Sequence, residues 1–446
     1  MPSVDSHEDL ERFFLNALKP RERWRVGMEF EKFGVHPDTG EAVPFSGPDG
    51  VESFLKRMAD RFHWSPLEEG GRVIGLERQE SRITLEPGAQ LELSGAPHAT
   101  LHELAREIAS HLAELRELTD PGQIAWLGSG SQPVSQWHEI ELLPKERYHI
   151  MNRYLPLQGE LGTTMMRTTA ALQLNLDYES EADAMEKFRL AMALSPLVTA
   201  LYANSAISGG RPNGFLSRRA YIWQRTDPRR CGFIEKLYQP DARFRDYVDY
   251  ALDIPMIFLV RDGRWVDVDG AVTFRQYLDA GFHGYRACWE DWELHLSGIF
   301  TEARFKPYVE VRGADCTPPD LVMTFPALVK GILYDPEARR QTWDLVGSWG
   351  TIERQALFVT ISRKGPRSAV RGVRLLDRLR EIVRISREGL ARQGAYDARG
   401  RDETVYLEPL LERLERGWDC PAREILSLWN GAWNGDLRRF IAYSRF

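Results

Sequence analysis

The sequence contains little cysteine and no long run of apolar residues. Its 446 residues include four cysteines, none in the C-x-x-C spacing of a zinc or redox site: Cys231, Cys288, Cys316 and Cys420. The longest apolar run covers residues 254–260, far short of the roughly 20 residues that a membrane-spanning helix needs. We therefore expect reduced thiols, no disulfide framework and no membrane partner.

Clusters of like charge are also absent. The formal net charge is −7, and no run of five or more basic residues marks a nucleic-acid surface. Residues 1–18 lack the basic start and apolar stretch of a secretory signal. These absences exclude partners held by bulk electrostatics. We expect a cytoplasmic protein that acts on small molecules, as a monomer or a homodimer.

The order of segments indicates the fold class. Strand-like and helix-like segments are mixed without the regular alternation of a parallel α/β sheet, which favours an α+β fold. No low-complexity linker divides the chain, and 43% hydrophobic residues can form one large core. We predict a single domain over residues 1–446, with a sheet core at about 24–335 and a mainly helical part at about 336–446 packed on it.

Three amphipathic helices can be placed from their caps and apolar spacing. One begins after Thr100, whose side chain can form a capping box with Glu103. A second begins after Ser180 and is expected to run until Pro196 perturbs it. A third covers about residues 370–390, with Gly394 as its stop signal.

Two glutamates lie two residues apart in a strand-like segment at residues 26–33. Glu29 and Glu31 therefore project from the same side of a strand. Two carboxylates this close repel each other unless a cation or a proton lies between them. The pair thus indicates a binding site.

The same alternation of polar and apolar residues recurs in three further segments. Their polar members are Glu86, Gln90, Glu92, Gln173, Asn175, Glu310 and Arg312. The first segment fits only if its strand continues across Pro87 and Gly88. A sheet with one face in water also alternates strictly, and for any one strand that explanation is equally good. A solvated face normally includes lysine and threonine, however, whereas these residues are mostly Glu, Gln and Asn.

The side chains of this polar face suit a hard cation. Carboxylate and amide oxygens are the ligands that magnesium and manganese prefer. Zinc is disfavoured because these strands lack histidine and no H-E-x-x-H motif occurs. Magnesium held by scattered carboxylates is typical of nucleotide-binding sites.

No phosphate-binding glycine loop of the G-x-x-x-x-G-K-[ST] type is present. If ATP binds, we expect metal ions and basic side chains on the sheet to hold it. The candidates are Lys145, Arg147, Arg219, Lys306 and Arg312.

Several segments together resemble the glutamate-cysteine ligases of the plant and proteobacterial type. They are residues 26–34, 85–97, 173–177, 212–223, 247–256, 309–315 and 430–433. The resemblance extends over nearly the whole chain from about residue 24. It implies an antiparallel sheet wrapped by helices, as in the glutamine-synthetase-like carboxylate-amine ligases.

The resemblance also implies a reaction. The γ-carboxylate of L-glutamate would attack the γ-phosphate of ATP, with magnesium or manganese as cofactor, to form γ-glutamyl phosphate. The amine of L-cysteine would then displace phosphate and give γ-glutamylcysteine, the first step of glutathione biosynthesis.

Carried over residue by residue, the resemblance implies a role for each candidate side chain. The implied metal ligands are Glu29, Glu31, Glu86, Glu92 and Glu310. The implied catalytic residues are Glu31, Glu92 and Arg312. ATP and substrates are assigned to Lys145, Arg147, Gln90, Gln173, Asn175 and Arg219, of which Arg219 resembles the arginine that holds the substrate glutamate.

Two departures from the plant pattern concern the acceptor amine. Ile257 stands where the plant enzymes have a tyrosine, and Ala171 lies near a family threonine, so a different amine stays open as acceptor. Ala105, Val268 and Met323 stand near the regulatory cysteines of the plant enzymes, which predicts no disulfide switch. A homologue that binds nucleotide without turnover and a glycosidase with two carboxylates are further alternatives.

Overall fold

An antiparallel β-sheet lies at the centre of the protein. The structure is a computed structural model that describes residues 4–119 and 123–446. Its strands are β1 (Val26–Val35), β2 (Ser65–Glu69), β3 (Arg72–Arg78), β4 (Ser81–Leu85), β5 (Leu91–Ser94), β6 (Ala125–Leu127), β7 (Ala171–Leu176), β8 (Ile207–Ser208), β9 (Arg211–Pro212), β10 (Cys231–Gly232), β11 (Phe258–Arg261), β12 (Arg264–Asp267), β13 (Phe300–Thr301), β14 (Ala303–Phe305), β15 (Val309–Asp315), β16 (Ala369–Val370) and β17 (Val373–Arg374).

The central sheet has the strand order β14-β15-β7-β1-β5-β4-β3-β2, and β6 pairs with the far end of β1. The other strands form short two-stranded ribbons. All pairings within the central sheet are antiparallel over the described residues. This confirms the α+β fold predicted from the sequence, and it places β1 with its two glutamates in the middle of the sheet.

Helices surround the sheet. They are α1 (His7–Leu15), α2 (Val51–Phe62), α3 (Leu101–Leu118), α4 (Glu146–Gln158), α5 (Gly162–Thr168), α6 (Glu181–Leu201), α7 (Arg218–Trp223), α8 (Phe244–Leu252), α9 (Phe274–Ala280), α10 (Trp289–Ser297), α11 (Thr324–Leu333), α12 (Pro336–Val346), α13 (Thr351–Lys364), α14 (Leu375–Gln393), α15 (Glu408–Glu415), α16 (Pro421–Asn430) and α17 (Leu437–Ser444). Short 3₁₀ turns occur at Arg21–Arg23, Glu235–Tyr238, Pro319–Leu321, Gly365–Arg367 and Glu403–Tyr406.

One face of the sheet is apolar and carries the core. Phe30 of β1 lies opposite Leu93 of β5 and Leu172 of β7, and all three are buried. Helices α6, α11 and α14 cover the β15 side of this face, where they enclose Val311. Because side chains alternate along a strand, this packing fixes which residues face the other way.

The first two predicted helices begin where the sequence placed them. Thr100 accepts a hydrogen bond from the Glu103 amide and completes a capping box at the start of α3. Ser180 caps α6, but that helix continues through Pro196 to Leu201, which corrects the predicted end. Nearly all of its second half is buried, so packing outweighs the hydrogen bond that proline cannot donate.

The third predicted helix begins later than expected. Val370 and Val373 pair as β16 and β17 around a two-residue turn in which Arg371 and Gly372 both have positive φ. Helix α14 starts at Leu375 and ends at Gln393, and Gly394 then adopts the left-handed conformation expected of a stop. Spacing of three between two valines suits a hairpin as well as a helix, which explains the difference.

Helices α12 to α17 follow the last strand of the central sheet, and α14 packs on α6 and α11. The boundary at residue 335 stays a prediction. Over the described ranges, no helix combines the length and hydropathy that crossing a bilayer requires. Cys231, Cys316 and Cys420 are free thiols. Burial raises the pKa of the Cys231 and Cys420 thiols to about 12, so both stay protonated.

We predict that Thr100→Ala lowers the free energy of unfolding by about 1 kcal/mol, because the first amides of α3 lose their cap. Denaturant titration of the purified protein measures this change. Thr100→Ser keeps the hydroxyl and serves as the matched control. An equal decrease in the free energy of unfolding in both variants would show that the Thr100 hydroxyl does not stabilise the helix.

Candidate active site

A cavity opens on the polar face of the central sheet. It has a volume of about 320 Å³, within the range of small-molecule binding sites. Its charged and polar lining consists of Glu29, Glu31, Thr84, Glu86, Gln90, Glu92, Ser94, Lys145, Arg147, Thr169, Gln173, Arg219, Ser297, Arg304, Lys306 and Arg312. An apolar wall, formed by Met151, Met165, Met166, Trp223 and Phe300, closes one side.

Strand pairing brings the acidic side chains together. Glu31 of β1 lies directly opposite Glu92 of β5, and Glu29 lies opposite Gln173 of β7. Opposed residues in an antiparallel pair have Cβ atoms about 4.5–5.5 Å apart. The register thus sets carboxylates from neighbouring strands side by side across the floor of the cavity.

Glu86 and Gln90 reach this floor in a different way from the one predicted. Strand β4 ends at Leu85 and β5 begins at Leu91, so the strand does not continue across Pro87 and Gly88. The chain reverses there, and the Glu86 amide donates to the Gln90 carbonyl at 2.9 Å. Gly88 permits the turn, since a Cβ would lie 2.6 Å from the Arg167 carbonyl oxygen. Opposed positions across a turn share a face, so both side chains still line the cavity.

Hydrogen bonds orient Glu31. Its two oxygens accept from the Ala171 amide at 2.7 Å and from Gln173 Nε2 at 2.8 Å. The amide oxygen of Gln173 accepts in turn from Arg312. Gln173 therefore links Glu31 of β1 to Arg312 of β15.

Neutral side chains also hold the neighbouring acids Glu92 and Glu29. Glu92 accepts hydrogen bonds from Thr84 Oγ1 at 2.8 Å and from the Ser94 hydroxyl. Asn175 Nδ2 donates to Glu29 Oε1 at 3.3 Å. Neutral donors hold both carboxylates in place without compensating their charge.

The acids on the cavity floor therefore resist ionisation. Burial, together with the nearby Glu310 charge, raises the pKa of Glu29 to about 7. Burial also raises the pKa values of Glu31, Glu86 and Glu92, and repulsion from neighbouring carboxylates adds to the effect. A cation between these side chains would relieve both costs.

This donor set fits magnesium better than a metal with a closed protein cage. Within the described residues, no three or more His, Cys, Asp or Glu side chains form a group that could hold a metal ion by themselves. Magnesium usually takes one or two carboxylates and completes its shell with water and substrate phosphates. The glutamates of β1 and β5, together with Glu86 in the turn after β4, suit that mode of binding. The magnesium site stays a prediction, and the residues present fit it.

Glu310 is placed differently from the other predicted metal ligands. It is fully buried, and it accepts two hydrogen bonds from Arg304 and one from Arg312 Nη1 at 3.0 Å. These guanidinium groups outweigh its burial and hold the pKa of Glu310 far below its usual range. The carboxylate thus positions two arginines. Its role as a metal ligand stays a prediction, and these contacts count against it.

Basic side chains face the acids from α4 and the loop before it. Lys145 and Arg147 lie beside Glu86. Burial lowers the pKa values of both basic side chains, and the negative charge of Glu86 partly opposes this shift. Arg147 donates to Ser297 Oγ at 3.1 Å, and its guanidinium lies 5.2 Å from the centre of the Phe258 ring. Both cations are therefore held at the cavity wall.

Arg219 lies in the first turn of α7, which Ser217 caps. Its Nη2 donates to the Arg312 carbonyl at 3.0 Å, and its Nη1 lies 3.9 Å from Asp315 Oδ1. Asp315 is itself held by the Ser205 and Ser217 hydroxyls and the Asn204 amide. Asp315 therefore braces the arginine from behind while Arg219 lines the cavity.

Arg304 is the charged lining residue that sequence reasoning missed. Arg304 lies two residues from Glu302 and two residues from Lys306, on the segment that contains β14. This alternation of charged residues is the sequence signal that could have identified Arg304. Of the two positions suggested for the acceptor, Ala171 lines the cavity. Ile257 does not, because it is buried between α8 and β11, where its carbonyl accepts from Val268 and Asp269.

A second, more open cavity of about 670 Å³ adjoins the first. The two cavities share Glu29, Thr84, Ser94 and Lys306. The second cavity also carries Lys19, Arg25, Arg82, Asn175 and Tyr308. Glu80 and Asp177 line the second cavity as well, so the first, inner cavity and this second, outer one both carry charges of both signs.

Comparisons with known proteins agree over nearly the whole length. Residues 25–442 match the family described as glutamate-cysteine ligase family 2. The chloroplastic glutamate-cysteine ligase of Brassica juncea is 39% identical over 432 residues, covering 96% of this chain and 82% of the relative. The chloroplastic enzyme of Arabidopsis thaliana is 38% identical over 432 residues, covering 96% and 80%.

A solved structure supports the fold. The glutamate-cysteine ligase of Francisella tularensis, in complex with AMP, superposes with a TM-score of 0.58 at 13% identity. The match covers 95% of this chain and 89% of that one.

The cytoplasmic location predicted from the sequence is wrong by these comparisons. The curated plant relatives that match are named as chloroplastic enzymes. Dispersed charge and widely spaced cysteines do not distinguish one reducing compartment from another.

Glu310→Gln is expected to lower the free energy of unfolding by about 3–5 kcal/mol, because the buried Arg304 and the half-buried Arg312 lose their anion. Denaturant titration gives the value. Glu337→Gln removes an exposed partner of Arg340 and should change stability little. A small effect at position 310 would mean that the arginines do not depend on this carboxylate.

Proposed function

This chain belongs to glutamate-cysteine ligase family 2, and we propose that its inner cavity joins the γ-carboxylate of L-glutamate to the amine of L-cysteine, with ATP as co-substrate. This reaction is the first step of glutathione biosynthesis. The observation that carries the proposal is the charge of the cavity, which six basic side chains and four glutamates line together. That balance suits anionic substrates that meet at a shared cation.

We assign the nucleotide to the passage between the two cavities. Arg25 and Arg82 of the outer cavity offer cations to phosphate, Lys19 is paired with Asp177, and Tyr308 offers an aromatic surface. A triphosphate extending inward from there would pass Lys306 and reach the glutamates of β1 and β5. The solved relative contains AMP, which is consistent with a nucleotide substrate in this fold.

Magnesium, when bound, would neutralise the phosphate charge, and the residues that would hold it are Glu29, Glu31, Glu86 and Glu92. Gln173 and the Ala171 amide keep Glu31 oriented for this role. Lys145 and Arg147 approach from the opposite wall. They can donate to the phosphoryl oxygens as charge develops there.

The two steps place different demands on the protein. In the first, a γ-carboxylate oxygen bonds to the γ-phosphorus of ATP and the bond to the β-phosphate bridging oxygen breaks, releasing ADP. In the second, the amine attacks the γ-carbonyl carbon, the bond to the phosphate oxygen breaks, and the amine loses a proton. Because an acyl phosphate is already reactive, positioning and exclusion of water are the main tasks of these residues.

The apolar wall faces the acceptor. Met151, Met165 and Phe300 offer a surface for a small side chain of low polarity, and a thiol suits contact with sulfur and aromatic groups. Ala171 leaves more room than a threonine would, so the acceptor is the least constrained part of the proposal. The glycosidase alternative fits poorly, because a cavity with this many cations is unsuited to a neutral sugar.

We predict that ADP release from ATP requires both magnesium and L-glutamate, and that L-cysteine stimulates it more than any other amine in a panel. A coupled ADP assay, with and without EDTA, measures this dependence. Stronger stimulation by a different amine would replace cysteine as the acceptor. ADP release without L-glutamate would contradict the ligase proposal.

Glu31→Gln is expected to lower kcat about 100- to 1000-fold while the fold is retained, because the side-chain shape stays and one charge is lost. Steady-state kinetics and thermal melting test the two statements separately. Glu77→Gln on β3 lies outside the inner cavity and serves as the control. Near-normal turnover of the Glu31 variant would remove this residue from the catalytic site.

A further inference from the structure

A small side cavity of about 10 Å³, room for one water-sized group, lies behind Arg219 and Arg312. Both arginines, together with Trp223 and Phe300, line this side cavity and the inner cavity alike. Glu302, between β13 and β14, faces only the side cavity. A group that projects from the inner cavity past the two arginines therefore meets this carboxylate.

Glu302 is a carboxylate without an ion-pair partner. One of its oxygens accepts a hydrogen bond from the Ser195 hydroxyl of α6. Among the described residues, no basic nitrogen lies within 4.0 Å of it, whereas Glu310 on the next strand is held by two arginines. Burial raises the pKa of Glu302, and the Ser195 hydrogen bond and the more distant Arg219 and Arg312 only partly oppose this.

Glu302 is half-buried, and a carboxylate partly removed from water is stabilised when a cation compensates its charge. The rest of the lining indicates which cation. Trp223, Phe300 and Phe358 surround the side cavity, and aromatic faces attract ammonium groups. The side cavity is too small for a whole amino acid but suits an ammonium head group.

We propose that Glu302 binds the α-ammonium group of the substrate amino acid whose α-carboxylate contacts Arg219. The assignment rests on the proposed function, because it requires an amino acid in the inner cavity. The two head groups are attached to one carbon, and Glu302 and Arg219 line the same side cavity. An amino acid held in this way extends its side chain toward the inner cavity, where Arg219 also interacts with Glu31. Glu302 thus selects an amino acid over a simple dicarboxylate.

The test compares binding of L-glutamate and of glutarate, which lacks the α-amino group. Isothermal titration calorimetry on the full chain, in the presence of magnesium and a non-hydrolysable ATP analogue, measures both affinities without requiring turnover. The wild-type protein should bind L-glutamate more tightly than glutarate. Glu302→Gln should weaken L-glutamate binding about 10- to 100-fold, the range of a charge-assisted hydrogen bond, and leave glutarate binding unchanged.

Two further variants keep the outcome interpretable. Glu293→Gln alters an exposed carboxylate on α10 and should change neither affinity. Ser195→Ala removes the hydrogen bond to Glu302 but keeps its charge, so it should weaken L-glutamate binding less than Glu302→Gln does. Equal weakening of both ligands by Glu302→Gln would overturn the proposal, since it would indicate a purely structural carboxylate. Equal wild-type affinity for both ligands would also overturn it.

The same titrations separate this inference from the proposed function. Selective loss of L-glutamate binding in Glu302→Gln supports the ammonium site even if L-cysteine proves not to be the acceptor. Conversely, ADP release that depends on L-glutamate, combined with unchanged selectivity in Glu302→Gln, rejects the site and retains the ligase.

Discussion

Repulsion between carboxylates on one face of the central sheet is the constraint on which the rest of the structure depends. Glu31 and Glu92 oppose each other across two strands, and burial denies them the water that would screen their charges. Hydroxyl and amide donors fix their orientation without neutralising them. The fold therefore maintains a site whose electrostatic balance is completed only by bound cations and anionic substrates.

The arginines on the edge strands complement this arrangement. Arg304 and Arg312 share the buried carboxylate of Glu310, which keeps their guanidinium groups at the cavity instead of on the acids of the floor. Arg219 is braced by Asp315 from the opposite side. Cations and anions are thus held apart by separate partners, so an incoming substrate can contact both. Preorganised charges of this kind require little rearrangement when charge develops in a reaction.

Local sequence patterns predicted the parts of the site that lie on strands. Period-two alternation identified Glu29 and Glu31, and the same signal found Gln173 and Asn175, because strand geometry fixes the face of each side chain. The pattern misjudged the chain around Gly88, where a hairpin replaces a continuous strand. Glu86 and Gln90 nevertheless lie on the predicted face of the sheet, because positions opposed across the turn share a face.

The sequence by itself determined the fold class, the family and the acidic face, since all three depend on local alternation or on matching segments. Only the tertiary structure decided what each charge does. Glu302 and Glu310 are the same residue type on neighbouring segments, yet arginines pair with Glu310 and Glu302 faces a cavity without an ion-pair partner. That difference arises from contacts between segments distant in the chain, such as Ser195 of α6 with Glu302. No local pattern encodes those contacts.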